Sequence, residues 1–280
     1  MKQKQYQKMN WAEIESIIYS DCSHPFEILG PHITGKETLL QAFFPYAKKV
    51  SVCFEDGTNE KIEMEQVEEE GFFAVFFPKR KKLKYYYEVT DSAGNISCLQ
   101  DPYAFSVSLE KKESMAFLRG TTDRADELFA PAVVMLDGVS GVMFRVFAPN
   151  AVRVSVIGPF NQFDGRVNQM EKDDSTGIFS LFLPGSAQET QYCYEIKKKN
   201  GDVLIRRDPY AKRYSDVHRV ACEVVNETSY SWKDVTWMSE RKALKKSEQS
   251  MNVYSVAVRD LLSAEKEQKT KELIAYIKKM

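Results

Sequence analysis

The chain has 280 residues, 43% hydrophobic and 12% aromatic, with 39 basic and 40 acidic side chains and a formal net charge of −1. That length and apolar content suffice to bury a core divided between two domains, while the even charge supplies no general attraction to nucleic acid or to an anionic membrane. Five cysteines, widely spaced and without a CxxC pair, argue against a disulfide framework or zinc ribbon. The longest apolar run, LFAPAVVML at 128–136, is too short to cross a bilayer, so a cytoplasmic chain is expected.

In chain order, NWAEIESIIYS predicts a short N-terminal helix within residues 1–20, with Asn10 as its cap and Trp11, Ile14, Ile17 and Ile18 as an apolar stripe. Residues 21–110 then break into short alternating runs bounded by Gly, Pro, Asp and Asn, the pattern of an antiparallel sandwich. HPFEILGPH, at 24–32, fixes the chain's entry into that sandwich; its His24 and His32, with Cys22, fall short of the four ligands a structural zinc needs. The acidic run EMEQVEEE (63–70) and the basic run KRKKLK (79–84) read as solvated turns between strands. A linker, 111–138, contains RADELF, enough for a turn or two of helix.

The next segment repeats the first. FFPYAKKVSV (43–52) returns as VFAPNAVRVSV (146–156), GFFAVFFP (71–78) as GIFSLFLP (177–184), YYYEV (85–89) as YCYEI (192–196) and DPYA (101–104) as DPYA (208–211), in one order and at nearly constant separation. A second sandwich over 139–230 follows. The two-residue period places Val50, Val52 and Phe54, then Phe73, Val75 and Phe77, then Tyr85, Tyr87 and Val89 on the core faces of the first copy. Val152, Val154 and Val156, Phe179, Leu181 and Leu183, and Tyr192, Tyr194 and Ile196 do the same in the second. Burial of each contributes about 1.5–3 kcal/mol, so these aromatics read as packing rather than ligand contacts. The predicted fold class is all-β: two tandem immunoglobulin-like antiparallel sandwiches with short helices at the N- and C-terminal ends.

HPFEILGPH (24–32), DGVSGVMFRVFAPNAVRVSVIGPFNQFDGR (137–166), GIFSLFLPG (177–185), RDPYAKR (207–213) and YSWKDVTWMSER (230–241) together resemble the N-terminal region of 1,4-α-glucan (glycogen) branching enzymes. In that family two sandwiches, the second a family 48 carbohydrate-binding module, precede a catalytic (β/α)8 barrel of glycoside hydrolase family 13. The resemblance implies that residues 231–280 hold the connector and the beginning of the barrel. NVYSVAV (252–258) matches its first strand, with Ser255 and Ala257 where the family has an acidic residue and a His, and KTKELIAYIKKM (269–280) its first helix, with Leu273, Ile274 and Ile277 on the apolar side.

Retaining glycosyl transfer needs two carboxyl groups about 5 Å apart, and no segment here matches the family motifs that place them. No catalytic residue, cofactor or metal is therefore expected. What the resemblance implies is a module that binds a neutral α-glucan, which calls for an exposed aromatic platform and a few fixed hydrogen-bonding groups. The candidate loop is GPFNQFDGR (158–166): Phe163 stands at the family's platform Trp, with Asn161 and Asp164 beside it, and Phe160 covers the end of the sandwich. Cys193 stands where strong binders have a Lys, and Val203 near their second aromatic. Trp232 and Trp237 are expected to pack as connector residues. The function implied is a non-catalytic, branching-enzyme-like protein of glycogen metabolism. The alternatives are a fragment of an ordinary branching enzyme, or a module that docks a glucan-processing enzyme through residues 251–280.

Overall fold

The computed structural model describes residues 7–55, 57, 60–80, 83–185, 190–215, 221–225, 233–243, 255 and 266–279. Two units are separated by their contacts, Met1–Glu227 and Thr228–Met280. The first unit opens with helix α1 (Trp11–Ile18), in which Ile14, Ile17 and Ile18 are buried; Asn10 occupies the cap position, but its side chain makes no capping hydrogen bond.

The first sandwich pairs two antiparallel sheets. One is built from β1 (Gly30–Thr34), β2 (Glu37–Phe43), β5 (Glu65–Glu68) and β6 (Phe72–Pro78) in the order β1-β2-β6-β5; the other from β3 (Ala47–Phe54), β4 (Lys61–Glu63), β7 (Tyr85–Asp91) and β8 (Ile96–Leu99) in the order β4-β3-β7-β8. Phe73, Val75 and Phe77 face Val50, Val52, Phe54, Tyr85 and Tyr87 across the core, while Val89 packs at its edge. Strand β6 is apolar on both faces because Phe72 and Ala74 lie on its reverse side under Ile14, Ile17 and Ile18 of α1.

Residues 111–138, expected as linker, contain helices α2 (Lys111–Leu118) and α3 (Ala125–Phe129), and also β9 (Ala132–Leu136). That last segment is not linker in the structure: it pairs with β10 (Val139–Phe147) from Val139↔Leu136 to Met143↔Ala132, and so opens the second sandwich as β1 opens the first. The turn between them is Asp137-Gly138, with φ of 49° and 83°, the left-handed pair that a two-residue hairpin requires. β9 is half-exposed, so its side chains carry no clear alternation and it passed for linker.

The second sandwich continues with β11 (Ala151–Ile157), β12 (Glu171–Asp173), β13 (Ile178–Pro184), β14 (Gln191–Lys198), β15 (Val203–Arg206), β16 (Arg213–Tyr214) and β17 (Cys222–Glu223). One sheet runs β12-β13-β10-β9 and the other β11-β14-β17-β16, with β15 also on β14. The expected inward faces meet in one core containing Val154, Val156, Phe179, Leu181, Leu183, Tyr192 and Tyr194, with Ile196 packed against it and Val152 only partly buried. The repeated Gly-aromatic motif has a steric cause. Gly71 and Gly177 have φ of 98° and 74°, and a Cβ there would lie 2.5 Å from the Phe44 carbonyl oxygen and 2.6 Å from Pro149 Cα.

A buried tyrosine–aspartate clamp closes each sandwich. Tyr85 and Tyr87 donate to Asp101 Oδ2 at 2.6 and 2.8 Å, and Tyr192 and Tyr194 to Asp208 Oδ2 at 2.8 and 3.3 Å. Each aspartate also accepts from the backbone of the following Tyr, 103 or 210, which is why the text DPYA recurs. The second unit contains α4 (Val235–Ala243), with Trp237 half-exposed under Arg241, and α5 (Lys266–Lys279), on which Ile274 and Ile277 are exposed. Trp232 and the expected strand at 251–258, apart from Ser255, lie outside the described residues.

Candidate glucan-binding site

After β11, Pro159 starts a single 3-10 turn, and the chain then passes through two consecutive left-handed residues, Gln162 (φ 56°) and Phe163 (φ 59°). Such φ values are uncommon outside glycine and cost about 1–2 kcal/mol per residue, so the loop needs other bonds to hold it. Asn161 supplies three: its Oδ1 accepts from Gly158 N at 3.0 Å, and its Nδ2 donates to the Val156 carbonyl and to Asn168 Oδ1, both at 2.9 Å. Phe163 N and Asp164 N close the turn on Gly158 O and Asn161 O at 2.9 and 3.0 Å.

Asp164 is equally committed. Its carboxylate accepts from Arg166 N, Nε and Nη2 and, at 2.6 Å, from Tyr46 OH of the first sandwich. Burial raises its pKa, but the bonds from Arg166 and Tyr46 outweigh burial and hold the carboxyl below the usual aspartate value. Of the three residues expected to meet glucan, Phe163 is thus the one presented outward, 48% exposed. Asn161, buried, and Asp164 spend their polar atoms on the loop itself and on Tyr46, and lie behind the Phe163 ring rather than beside it. The spacing N-x-F-D carried no sign of this, because a buried Asn and an exposed one look alike in sequence.

Cys193 is buried, and its thiol is pushed up to about 11 by burial and then by neighbouring Cys222, which leaves no group there to meet a sugar. Val203 is exposed on β15. His24 Nδ1 lies 3.0 Å from Glu171 Oε1 and its Nε2 3.2 Å from Asp174, while His32 Nε2 bonds the Leu29 carbonyl.

Sequence reasoning missed what holds the two sandwiches together. Arg153, 1% exposed, points out of the second core and donates to Glu195 Oε1 at 2.8 Å, to Ser155 Oγ and to the Ser20 carbonyl just past α1. Gln169 Nε2 donates to the Ile17 carbonyl, and Gly165 O accepts from both Ser20 and Ser155. Lys197 reaches Asp21 at 2.5 Å. The end of α1 is therefore a wedge between the copies, and its signal was available only as a lone Arg inside an apolar strand. A cleft of about 630 Å³ opens between the sandwiches, lined by Phe44, Tyr46 and Leu99 on one wall and Phe160, Gln162 and Arg166 on the other.

Fold and loop together define a class: tandem antiparallel sandwiches of which the second carries a rigid, aromatic-tipped loop. Residues 10–103 match the N-terminal domain of alpha-1,4-glucan branching enzyme GlgB, and residues 131–211 match carbohydrate-binding module 48, the isoamylase N-terminal domain. The chain belongs with the N-terminal region of the glycogen branching enzymes. It is 33% identical over 246 residues to the 1,4-alpha-glucan branching enzyme GlgB of Nitrosococcus oceani, covering 87% of this chain and 32% of that protein. For the GlgB of Thermosynechococcus vestitus the figures are 34% over 260 residues, 91% and 34%. The chain thus spans about a third of the length of the curated relatives it matches. A pullulanase from Anoxybacillus sp. LM18-11, crystallised with maltotriose, aligns with 73% of this chain and 29% of its own at 14% identity, with a TM-score of 0.30, too low to bear on fold or ligand.

Proposed function

We propose that these residues bind α-glucan without transforming it, through the second sandwich, with Phe163 as the platform on which a glucose ring stacks. One observation carries the reading: an aromatic side chain is held half-exposed at a costly left-handed backbone position by bonds from Asn161 and Asp164. Strain that a fold maintains at an exposed ring points to use of that ring. The match to a carbohydrate-binding module supports the same reading, and so does the even charge, since a glucan is neutral. Phe offers a smaller face than Trp and no N–H donor, so the binding is weak and gains from repeated chain ends. The reading carries a place in glycogen metabolism and a cytoplasmic location.

The test is native electrophoresis in gels containing glycogen. The chain is retarded relative to a glucan-free gel, and Phe163→Ala is retarded much less. Equal retardation of both proteins would overturn the role of Phe163, and no retardation of either would overturn the reading.

A second reading rests on α5, which exposes Ile274, Tyr276 and Ile277. It has residues 251–280 docking a glucan-processing enzyme. Its expected result is co-purification of such an enzyme with the full chain and loss of that enzyme when 251–280 is deleted.

A further inference from the structure

The cleft between the sandwiches is unused by the platform: Phe163 does not line it, whereas its neighbours Phe160, Asn161 and Gln162 do. Its volume, about 630 Å³, falls within the roughly 300–1,000 Å³ of small-ligand sites. We propose that this cleft is a second α-glucan subsite, shared by the two sandwiches, that receives the chain whose end stacks on Phe163.

Three features argue for a sugar there. First, the cleft offers exposed rings from opposite walls. Tyr46 of the first sandwich is 48% exposed and Phe160 of the second 38%. Ring faces of this kind match the C–H faces of glucose units. The Phe160 ring edge lies close over Gly158, where an added Cβ would come within 2.5 Å of it. Second, polar groups are present without an excess of charge. Gln162 is exposed and Gln100 half-buried, both on the cleft, and neither side chain carries a hydrogen bond among the described residues. The Arg166 guanidinium is neutralised by Asp164 at 2.8 Å. Amide side chains beside a neutralised cation suit hydroxyl groups better than phosphates or carboxylates.

Third, the walls are fixed before any ligand arrives. Tyr46 OH bonds Asp164, the same carboxylate that anchors the platform loop, and the α1 wedge joins the sandwiches through Arg153 and Gln169. A preformed cleft avoids the ordering cost that weakens sugar binding. Continuity follows from the chain itself, since Gln162 lines the cleft and the next residue is the platform. The inference rests on the glucan-binding reading, and it differs in requiring both sandwiches.

The cleft contains its own reporter. Cys98 lines it and is exposed, whereas Cys22, Cys53, Cys193 and Cys222 are buried. The experiment is alkylation of the native full chain by iodoacetamide, with the rate at Cys98 followed by peptide mass spectrometry with and without maltoheptaose. The expected result is at least threefold slower alkylation with maltoheptaose, and no slowing with the same mass of sorbitol. In Phe160→Ala the protection falls away, while in Phe163→Ala it persists but needs a higher maltoheptaose concentration. Retardation on glycogen with an unchanged rate at Cys98 would overturn the cleft and leave Phe163 standing. Protection that ignores Phe163→Ala while vanishing in Phe160→Ala would keep the cleft and overturn the platform. Neither retardation nor protection would overturn both.

Discussion

Strands β3 and β11 occupy the same place in their sandwiches, and each begins with a register shift, between Ala47 and Lys49 in one and Ala151 and Arg153 in the other. Past that shared bulge their surroundings diverge. Lys49 lies in solvent and pairs with Glu63, whereas Arg153, its counterpart, is buried under the end of α1. Further along, β3 pairs with the short edge strand β4, but the chain after β11 makes only an isolated bridge, Ser155↔Gln169, and uses the intervening residues for the Phe163 loop. The comparison teaches where a duplicated fold keeps its constraints and where it is free. The core and its clamp are held in common, and the surfaces of one strand and one loop distinguish the copy that buries Arg153 and exposes Phe163 from the copy that does neither.

The sharpest way to break that comparison is to remove the two matched cations. Arg153→Ala leaves Glu195, 17% exposed at its side chain, without its partner and strips the Ser20 carbonyl of a donor. The expected cost is about 3–5 kcal/mol, the range for breaking a buried pair. Lys49→Ala removes a solvated pair with an expected cost below about 0.5 kcal/mol. Urea midpoints of the two variants measure both, and equal losses would show that the α1 wedge contributes nothing.

Next in size are the clamps. Asp101→Ala leaves two buried tyrosine hydroxyls unpartnered, at about 1–3 kcal/mol each. Asp208→Ala strips only Tyr192 of its acceptor, since the Tyr194 hydroxyl, whose bond to Asp208 is long at 3.3 Å, also reaches the Arg145 carbonyl at 3.4 Å. The loss in the first sandwich is therefore expected to exceed that in the second by about 1 kcal/mol, read from the same denaturation curves. Burial raises the pKa of both aspartates against the pull of those tyrosines.

The duplicated part was legible in the sequence because repetition and alternation are local signals. Phe73, Val75 and Phe77 could be assigned inward from their spacing alone, and the order of four repeated motifs gave the tandem arrangement. What stayed hidden is long-range. Nothing near Arg153 in sequence announces Ser20 or Glu195, and nothing in GPFNQFDGR distinguishes the outward Phe163 from the inward Asn161. Strand β9 was missed for a different reason, since its DG turn was readable but its half-exposed side chains do not alternate. The cleft is the extreme case, because its walls come from segments more than fifty positions apart.

A smaller effect separates the presenting loop from the rest. Phe163→Gly removes the ring and also the cost of a left-handed Phe. The variant is expected to be more stable than the parent by up to about 1 kcal/mol while losing most of its retardation on glycogen. Loss of both stability and retardation would mean that Phe163 is packing. Phe163→Trp keeps the backbone and enlarges the platform, so a few-fold tighter hold on glycogen is expected, as 0.5–1.5 kcal/mol for an aromatic contact allows.

The weakest effect tests the joint between the copies. His24, just before the first sandwich, contacts Glu171 and Asp174 beside β12 of the second. Burial lowers its pKa, but the hydrogen bond and charge of Glu171, then the charges of Asp174 and Glu27, overcome this and raise it above the ordinary imidazole value. A raised folded pKa means that folding favours the protonated ring. The stabilisation is complete below about pH 6.5, the unfolded value, and disappears as pH rises through the folded one. Glu171, raised by burial, shifts stability in the same sense, so the difference between the parent and His24→Gln, not either curve alone, reports the imidazole. That difference is expected to be up to about 1 kcal/mol at pH 6 and to shrink by pH 8.5. A difference independent of pH would reduce His24 to a neutral hydrogen bond, leaving the α1 wedge to carry the joint between the sandwiches.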